Sequence, residues 1–277
     1  MAIALIIVSL SLLFYIYAGY PLALVVLSRL VRRRFEKGDD LPSVSFVIAA
    51  HNEEDVIRDK LENTLALDYP VDKLEVYIAS DGSRDATCSI AREYASRNVK
   101  LLDQKERTGK TGALNNVIAH LSGDIVVMSD ANSVYEPDAV RMLVRNFADS
   151  RVGCVCGELR YRNPEETAAG HGEGAYWRYE VAIKKMESAM GCLLGANGGI
   201  FAYRRELREP VPELMANDFV TPVKLALKGH RIVYDGDAVC YEDSSQTLGN
   251  EFKRHARIAA RGIVAALYLL GLSVIHF

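Results

Sequence analysis

From about residue 43 onward, short apolar runs alternate with segments whose apolar residues recur at helical spacing. The runs are brief and rich in β-branched residues, which is typical of buried strands in a parallel sheet. Between the first two runs, Ile57, Leu61 and Leu65 are spaced by four and predict an amphipathic helix over about 53–67. The predicted strands are 45–50, 74–79, 99–102, 124–128, 153–161 and 199–203, and further helices are predicted over 85–96, 112–121, 137–147 and 174–190 and in a segment ending at 227.

Strands that alternate with helices predict a parallel, doubly wound α/β sheet over about 43–150. After Val152 the pattern changes to strands separated by one longer helix. We interpret this second half as an extension of the same sheet and not as a separate domain.

The amino-terminal segment is apolar and carries no charge from Met1 to Ser28. About 28 helical residues with a rise of about 1.5 Å each would span the hydrocarbon core of a bilayer, with a kink predicted at 19–21. A secretory signal would begin with a basic segment, so an uncleaved anchor is predicted. The basic residues that follow place the rest of the chain in the cytoplasm, at the inner or plasma membrane: Arg29, Arg32, Arg33, Arg34 and Lys37.

The carboxyl-terminal segment 263–277 is also apolar, but about 15 residues are few for a spanning helix. Basic residues lie just upstream, between Lys253 and Arg261. Two interpretations stay open: a basic amphipathic helix that lies on anionic lipid, which we prefer, and the beginning of a second span.

Composition narrows the class of protein. The chain has 277 residues, of which 49% are hydrophobic and 25% charged, so a packed core is expected. The net charge of −3 counts against a protein that binds nucleic acid by neutralising phosphates. Five cysteines without a Cys-x-x-Cys pair predict reduced core thiols. Cys154 and Cys156 alternate within a predicted strand and should point to the same side.

Two of the predicted strands end at Ser-Asp, at Ser80-Asp81 and Ser129-Asp130. Open α/β sheets bind ligands beyond the carboxyl ends of their strands, so both carboxylates are expected at a ligand site and not only as caps. Asp130-Ala-Asn132 places two oxygen ligands on alternate residues. Such ligands suit Mg²⁺ or Mn²⁺ together with a diphosphate.

Two patterns resemble metal or phosphate motifs and are interpreted otherwise. Asp235-Gly236-Asp237 follows a short run and predicts a turn. Gly109-Lys110-Thr111 lacks the first glycine and the preceding strand of a P-loop, although Lys110 can still contact a phosphate as a point charge. Neither the glycine fingerprint of a dinucleotide oxidoreductase nor the nucleophile elbow of a hydrolase occurs.

Three further positions leave alternatives open. Asp218 is either the cap of a helix or a general base. Arg254 and Arg257 share one helical face and contact either phosphate or lipid headgroups. The loop 195–199, which contains Asn197 between glycines, is either a turn or a place where a substrate approaches the backbone closely.

In their order along the chain, these motifs resemble a membrane-anchored family 2 glycosyltransferase, similar to bacterial polysaccharide-type enzymes. This resemblance implies the GT-A fold, a Rossmann-like, mostly parallel central sheet flanked by helices. It covers nearly the whole chain. The motifs that carry it are Ala18-Gly-Tyr-Pro21, Ala50-His-Asn-Glu53, Ser80-Asp-Gly-Ser83, Gly109-Lys110, Asp130-Ala-Asn132, Asn217-Asp218 and Arg254-x-x-Arg257.

The resemblance also implies residue roles. Asp218 would be the catalytic base, and Asp130 with Asn132 would hold Mg²⁺ or Mn²⁺ and the donor diphosphate. Asp81 would contact the base or ribose of the nucleotide. The other residues expected to bind substrate are Ala50, Asn52, Glu53, Lys110, Asn115, Asn197, Arg254 and Arg257.

The chain departs from the family pattern at three positions. Asn132 stands where the second metal-site Asp is usual, and Asn217 stands where an acid precedes the base. Ile258 stands where processive members have a Trp that helps to hold the growing chain. This last departure counts against the synthesis of a long polymer.

The predicted function is an inverting transfer of a sugar from a nucleotide-sugar, a UDP-sugar, to a saccharide or lipid-linked acceptor at the membrane. Partner subunits of a synthase are also expected, and nucleic acid is not. The alternatives are a non-catalytic GT-A-like subunit of a polysaccharide synthase and a nucleotidyltransferase. The predicted divisions are an anchor (1–30), a basic linker (31–42), the GT-A domain (43–245) and an amphipathic interfacial helix with an apolar tail (246–277).

Overall fold

At the centre of the part of the chain that the structure describes lies one sheet of eight strands. A computed structural model describes residues 2–31, 33–162, 170–243 and 248–271. The strands are β1 (Val44–Ala50), β2 (Leu74–Asp81), β3 (Val99–Gln104), β4 (Ile125–Asp130), β5 (Val134–Tyr135), β6 (Val152–Arg162), β7 (Phe201–Arg204) and β8 (Arg231–Asp243). Their order in the sheet is β3-β2-β1-β4-β7-β6-β8-β5.

Helices cover both faces of this sheet. The described helices, of which α1 and α2 lie away from the sheet, are α1 (Ala2–Phe14), α2 (Tyr20–Leu30), α3 (Ile57–Leu65), α4 (Thr87–Glu93), α5 (Lys110–Ile118), α6 (Ala139–Val144), α7 (Gly170–Met190), α8 (Asn217–Leu227) and α9 (Leu248–Leu269). Strand β1 is buried on both sides, with Phe46 and Ile48 in the cluster that contains α3 and α6 and Val47 in the cluster that contains α5. Burial on both faces explains why the strand is a continuous apolar run.

The first half of the sheet is parallel, as predicted. Strand β1 pairs in parallel with β2 on one side and with β4 on the other. Ala50 pairs with Ser80, and Ala49 pairs with Asp130, so the ends of β2 and β4 flank the end of β1. The chain builds outward from β1 to β3 and then returns to the other side of β1, which creates a crevice at the switch point.

The second half continues the same sheet, also as predicted, but it is not all parallel. Strand β7 runs antiparallel to both β4 and β6, and β5 runs antiparallel to β8. Strands β6 and β8 are parallel. The sheet as a whole is therefore mixed, although four of its seven strand pairings are parallel.

The turn predicted at Asp235-Gly236-Asp237 was wrong. These residues lie inside β8, where Gly157 pairs with Asp235 but Glu158 pairs with Val239, so the extra residues form an irregularity in one long strand. Asp235 is buried and accepts hydrogen bonds from Lys37, Arg145 and Asn146. These contacts hold the segment in the sheet despite its turn-like composition.

The prediction of core thiols holds for four of the five cysteines. Cys88, Cys154, Cys156 and Cys240 are buried, whereas Cys192 is exposed. Cys154 and Cys156 belong to one apolar cluster, so they point to the same side of β6 as expected. Cys192 lies two residues after the end of α7, where it forms an isolated bridge with Ile232 of β8.

The amino-terminal helix is long and apolar enough to cross a membrane by length and composition, over Ile3–Leu30. A π-helical segment at Tyr15–Gly19 joins α1 to α2. Helix α1 is exposed, but α2 packs on α7, with Leu24 buried and the Tyr20 hydroxyl hydrogen-bonded to Glu187. Among the described residues, the second half of this helix therefore packs against the rest of the protein, while α1 is exposed.

Helix α9 packs on α8 at the other end of the chain. Ala265 is buried in a small cluster with Val211, Met215 and Val220. Its apolar part, Ile258–Leu269, is shorter than a membrane span. Residues 272–277 of the predicted apolar tail lie outside the described residues, and the choice between an interfacial helix and a second span stays a prediction.

Candidate active site

The loop after β1 is tied to the loop after β2 by hydrogen bonds. The backbone amide of Asn52 donates to the Ser83 hydroxyl (3.2 Å), and the side-chain Oδ1 of Asn52 accepts from the backbone amide of Arg84 (2.8 Å). Asn52 has a positive φ of 56°, a conformation that Asn tolerates better than most residues. Its described contacts therefore shape the loop, and Ala50 is buried at the end of β1 just before it.

Glu53 is half-buried beside the sheet edge. Its backbone amide donates to the Thr87 hydroxyl (2.8 Å). Burial, with the nearby charges of Asp130 and Asp85, raises the pKa of its carboxyl. The predicted helix over 53–67 therefore begins only at Ile57, because contacts with the 85–87 segment hold residues 53 and 54.

Asp81 is buried at the end of β2 and organises the segment before α5. Its Oδ1 accepts hydrogen bonds from the backbone amides of Thr108 (2.7 Å) and Gly109 (3.0 Å). Arg107 lies 3.9 Å from Oδ2. One carboxylate oxygen is thus committed to the protein, and the contact with a nucleotide remains a prediction.

Three charged residues from distant parts of the chain meet at the sheet edge. Lys110 is the first residue of α5, Asp130 the last of β4 and Asp218 the second of α8. The Lys110 ammonium pairs with Asp130 Oδ1. A Cβ on Gly198 would lie 2.8 Å from Asp218 Oδ2 and 3.5 Å from Lys110 Nζ, so both groups face the same point of the backbone.

The neighbours of these groups set their protonation. Burial raises the pKa of Asp218, Asp130 adds to this rise, and Lys110 opposes it. Burial lowers the pKa of Lys110, but the charges of Asp130 and Asp218 outweigh it, so the net change is a rise. Lys110 therefore stays protonated, and the neighbouring Asp218 carboxylate has a higher affinity for a proton than an ordinary aspartate.

The predicted metal site contains few acids. Asn132 is exposed two residues after Asp130. Among the described residues, no group of three or more His, Cys, Asp or Glu is arranged to hold a metal ion. Within the same part of the chain, Asp130 Oδ2 has no hydrogen-bonding partner, whereas Oδ1 contacts Lys110. One carboxylate oxygen and one amide therefore remain for a cation.

The loop 195–199 approaches the site closely through its backbone. The Ala196 amide donates to the Asp218 carbonyl (2.8 Å). Asn197 is buried, donates to the Gly157 carbonyl (2.6 Å) and accepts from Lys184 (2.5 Å). Its described contacts thus fix the loop, and Gly198 leaves room beside Asp218.

Asn115 and the two arginines have no described contact with this cluster. The Asn115 amide donates to the Val211 carbonyl (2.7 Å) and accepts from Arg208 (3.0 Å), so it holds the segment before α8. Arg254 and Arg257 belong to α9, but their side chains lie outside the described residues. The predicted substrate contacts of all three stay predictions.

Sequence reasoning missed Lys60, which is almost completely buried below the site. Its ammonium donates to the Ser133 carbonyl (2.5 Å) and lies 4.3 Å from the Tyr135 ring and 5.1 Å from the Phe46 ring. Ser133 follows Asn132 directly. The signal was present, because Lys60 stands three residues after Ile57 on the apolar face of the predicted helix.

Comparison with known families and curated proteins gives consistent matches. The family model described as "Glycosyl transferase family 2" matches residues 45–210. A poly-β-1,6-N-acetyl-D-glucosamine synthase of Staphylococcus aureus (strain MSSA476) is 31% identical over 230 residues, which are 81% of this chain and 55% of that protein. The corresponding synthase of Staphylococcus epidermidis is 28% identical over 225 residues, covering 79% and 54%. The chain thus spans about half the length of these relatives.

Solved structures match in the same way. The mannosyltransferase PcManGT from Pyrobaculum calidifontis, in complex with GDP-Man and Mn²⁺, has a TM-score of 0.75 at 27% identity and covers 92% of this chain and 74% of its own. S. aureus TarS in complex with UDP-GlcNAc has a TM-score of 0.57 at 16% identity, covering 74% and 59%. The second likeness concerns the fold alone, and together they confirm the predicted GT-A-like architecture.

Proposed function

The chain belongs to glycosyl transferase family 2, and from that premise we propose that it is an inverting enzyme that moves a sugar from a nucleotide-sugar to an acceptor hydroxyl. The observation that carries the proposal is the convergence of Lys110, Asp130 and Asp218 at the carboxyl ends of the strands. A base, a cation and a carboxylate at a strand end are the groups that such a transfer needs.

Asp218 acts as the base. Its carboxylate removes the proton from the acceptor hydroxyl while that oxygen forms a bond to the anomeric carbon. The bond from the anomeric carbon to the diphosphate oxygen breaks on the opposite side, which inverts the configuration. Burial raises the pKa of Asp218, which makes its carboxylate a better proton acceptor. Lys110 remains protonated and offers positive charge to the leaving diphosphate.

We assign a divalent cation, Mg²⁺ or Mn²⁺, to Asp130 and Asn132. The mannosyltransferase structure is a complex with Mn²⁺. Mg²⁺ commonly binds through one or two carboxylates and substrate phosphates and keeps several waters, so a site with few acids fits this mode. When bound, the cation would neutralise charge on the diphosphate. Asp130 Oδ2 and the exposed Asn132 side chain are the groups available to hold it.

For the donor, the relatives supply the first candidates to test. The staphylococcal relatives are named for a polymer of N-acetylglucosamine, which supports a UDP-sugar such as UDP-GlcNAc. The mannosyltransferase binds GDP-Man, which makes GDP-mannose the second donor to test. The acceptor is a saccharide or a lipid-linked saccharide at the membrane, and the apolar helix Ile3–Leu30 supports this location. The basic residues after that helix support a cytoplasmic catalytic domain.

Replacement of Asp218 by Asn tests the base. We expect kcat for transfer to fall by about 10²–10⁴-fold, because the proton acceptor is lost while the shape of the side chain is kept. The affinity for UDP in the presence of Mn²⁺, measured by calorimetry, should stay near that of the parent. Asp72→Asn, at an exposed position before β2, is the matched control and should change neither quantity. Transfer at the parent rate in Asp218→Asn would remove Asp218 from the mechanism.

One observation favours a second candidate function. The described residues include no cluster of three or more His, Cys, Asp or Glu that could hold a metal ion. This lack of a cluster would also suit a non-catalytic subunit that keeps the fold. The same calorimetry separates the two, because such a subunit should show no Mn²⁺-dependent binding of UDP. A product assay separates a nucleotidyltransferase, which would release pyrophosphate and not UDP.

A further inference from the structure

Lys60 of α3 has a buried amine that the proposed transfer does not use. Its side chain is 1% exposed, and Nζ lies 5.1 Å from the Phe46 ring and 4.3 Å from the Tyr135 ring. Its described hydrogen bond goes to a backbone carbonyl, that of Ser133 (2.5 Å), and not to a carboxylate. Burial of a lysine lowers stability unless its nitrogen is well paired, so stability alone would favour an apolar side chain at this position.

The carbonyl that Lys60 contacts belongs to the turn that carries the proposed cation ligands. This turn is closed by the Ser133 amide, which donates to the Asp130 carbonyl (3.3 Å). Ala131 and Ser133 are buried, whereas Asn132 between them is exposed. Because both neighbours of Asn132 are fixed in the interior, the orientation of the Asn132 side chain depends on how Ser133 is held.

Two described side chains contact Ser133, and they restrain different parts of it. Glu242 of β8 accepts a hydrogen bond from the Ser133 hydroxyl (2.5 Å). This contact restrains a side chain. The hydrogen bond from Lys60 restrains the peptide group, and so the path of the backbone next to Asn132.

Helix α3 also holds the backbone two residues farther along. Asn63 lies three residues after Lys60, on the same face of the helix. Its side chain donates to the Tyr135 carbonyl (2.9 Å) and accepts from the Tyr135 amide (2.8 Å). The contacts of Asn63 fix β5 against α3, and the contact of Lys60 extends this attachment to the residue that follows Asn132.

We propose that Lys60 is a positioning residue for the divalent cation, because through the Ser133 carbonyl it holds the turn that presents Asp130 and Asn132; the inference rests on the proposed function. A lysine nitrogen donates an N–H to a carbonyl whether or not it carries the additional proton, so this role does not require a charge. One carboxylate oxygen and one amide are few ligands, and the affinity for the cation therefore depends on how firmly both are held.

Calorimetry of UDP binding by the full-length chain in detergent, with and without Mn²⁺, tests this role. The ratio of the two dissociation constants measures how much the cation strengthens binding. We expect Lys60→Met to reduce this ratio by about three- to tenfold, because a hydrogen bond that holds the turn is lost. The affinity for UDP without Mn²⁺ should stay at the parent value.

Lys73→Met is the matched control. Lys73 Nζ also donates to a backbone carbonyl, that of Leu41 (2.8 Å), but this contact lies at the amino end of β2 and away from the turn. Both dissociation constants should therefore equal those of the parent.

Lys60→Leu separates the loss of the donor from poor packing. Met is unbranched and close to lysine in length, whereas Leu is shorter and branched, and thermal unfolding checks that each variant keeps the fold. Similar reductions of the Mn²⁺ effect in both variants assign the reduction to the missing N–H. A reduction in only one of them assigns it to the fit of that side chain and overturns the positioning role.

The double variant Lys60→Met/Asn132→Ala shows whether Lys60 acts through the turn. Asn132→Ala alone should weaken the Mn²⁺ effect, because it removes a proposed ligand. Lys60→Met should then cause a smaller further reduction than it causes in the parent, since one of the ligands that it positions is already absent. Fully additive reductions mean that Lys60 acts elsewhere, and they contradict the inference.

The parent protein separates this inference from the proposed function. If Mn²⁺ does not strengthen UDP binding in the parent, the cation assignment of the proposed function fails, and the role of Lys60 fails with it. If Mn²⁺ strengthens binding and Lys60→Met keeps the parent ratio, the role of Lys60 is wrong while the proposed function stands. A lower affinity for UDP without Mn²⁺ in Lys60→Met also overturns the role, because it shows that the whole crevice is distorted.

Discussion

Lys60 places a charge in the apolar interior, in contact with the segment that follows Asp130. Burial lowers the pKa of Lys60 to about 7, although Cys240, Asp130 and Glu242 act in the opposite direction. In the unfolded chain the pKa of a lysine is about 10.4. Between about pH 7 and pH 10 the unfolded chain therefore holds more protons at this position, and the free energy of unfolding contributed by this residue rises with pH.

Replacement of Lys60 by Met should expose this dependence. We expect the difference in Tm, Lys60→Met minus parent, to be largest below about pH 7. This difference should decrease towards about pH 9, because the parent becomes more stable as the pH rises. Thermal unfolding at several pH values measures the difference. Lys105→Met, whose parent side chain is 88% exposed, serves as the control and should give a constant offset. A constant offset in Lys60→Met as well would show that Lys60 stays charged in the folded protein.

The charge of Lys110 should be visible in the pH profile of transfer. Lys110 lowers the pKa of Asp218, so its removal in Lys110→Met should raise that pKa further. The base then loses its charge at a higher pH, and the acidic limb of kcat/KM should move to higher pH. Lys110→Arg keeps the charge and should leave the limb in place. An unmoved limb in Lys110→Met would mean that another group controls it.

At the scale of elements, local sequence predicted the first half of the sheet well and the second half less well. Strands β1, β2 and β4 are mostly apolar and buried, so their local pattern was sufficient to predict them as strands. Strand β8 was not predicted, because Asp235-Gly236-Asp237 after a short apolar run is typical of a turn. The ion pairs of Asp235 with Lys37 and Arg145, which hold the strand together, cannot be read from the local pattern. The two-residue strand β5 exists only through its pairing with β8.

The residues of the candidate site also differ in whether the sequence could locate them. Asp81 and Asp130 could be located from the strands that end at them. The meeting of Asp218 with Lys110 could not, because it depends on how α8 and the loop 195–199 pack against α5. The resemblance to a family supplied the role of Asp218, and the structure supplies its neighbours.

The loop 195–199 leads to a prediction of its own. Gly198→Ala would place a methyl group 2.8 Å from Asp218 Oδ2, so the carboxylate must move. We expect kcat for transfer to fall by about tenfold or more, since small displacements of reacting groups are costly, with little change in Tm. Gly262→Ala has no atom within 4 Å and should keep the parent rate. If kcat for transfer in Gly198→Ala equals that of the parent, the loop can move aside without displacing Asp218.

At the scale of the whole molecule, the helix Ile3–Leu30 and helix α9 carry most of the exposed large apolar side chains among the described residues. Helix α1 exposes its large side chains all round, for example Val8 (63%) and Leu12 (57%). Helix α9 is partly covered by α8. The amino-terminal helix should therefore provide the stable attachment to the membrane, with α9 contributing less.

Charges in α1 should separate these contributions. Each Arg near the middle of a span costs about 2.5–3.5 kcal/mol, so the double variant Val8→Arg/Leu12→Arg should be released from membranes by alkaline carbonate, whereas the parent chain stays in the pellet. Val71→Arg, at an exposed apolar position of the catalytic domain, should stay in the pellet like the parent. Retention of the double variant would show that another segment is sufficient for insertion.

The π-helical segment Tyr15–Gly19 has a rotational consequence for this attachment. A π-turn accommodates an extra residue, so it shifts the phase of everything that follows it around the helix axis. Each residue of an α-helix turns by about 100°, so if Tyr15–Gly19 were α-helical the extra residue would turn Tyr20 away from Glu187 by about that angle. The π-turn therefore sets which face of α2 contacts α7. It does so independently of which face of α1 points to the same side of the helix.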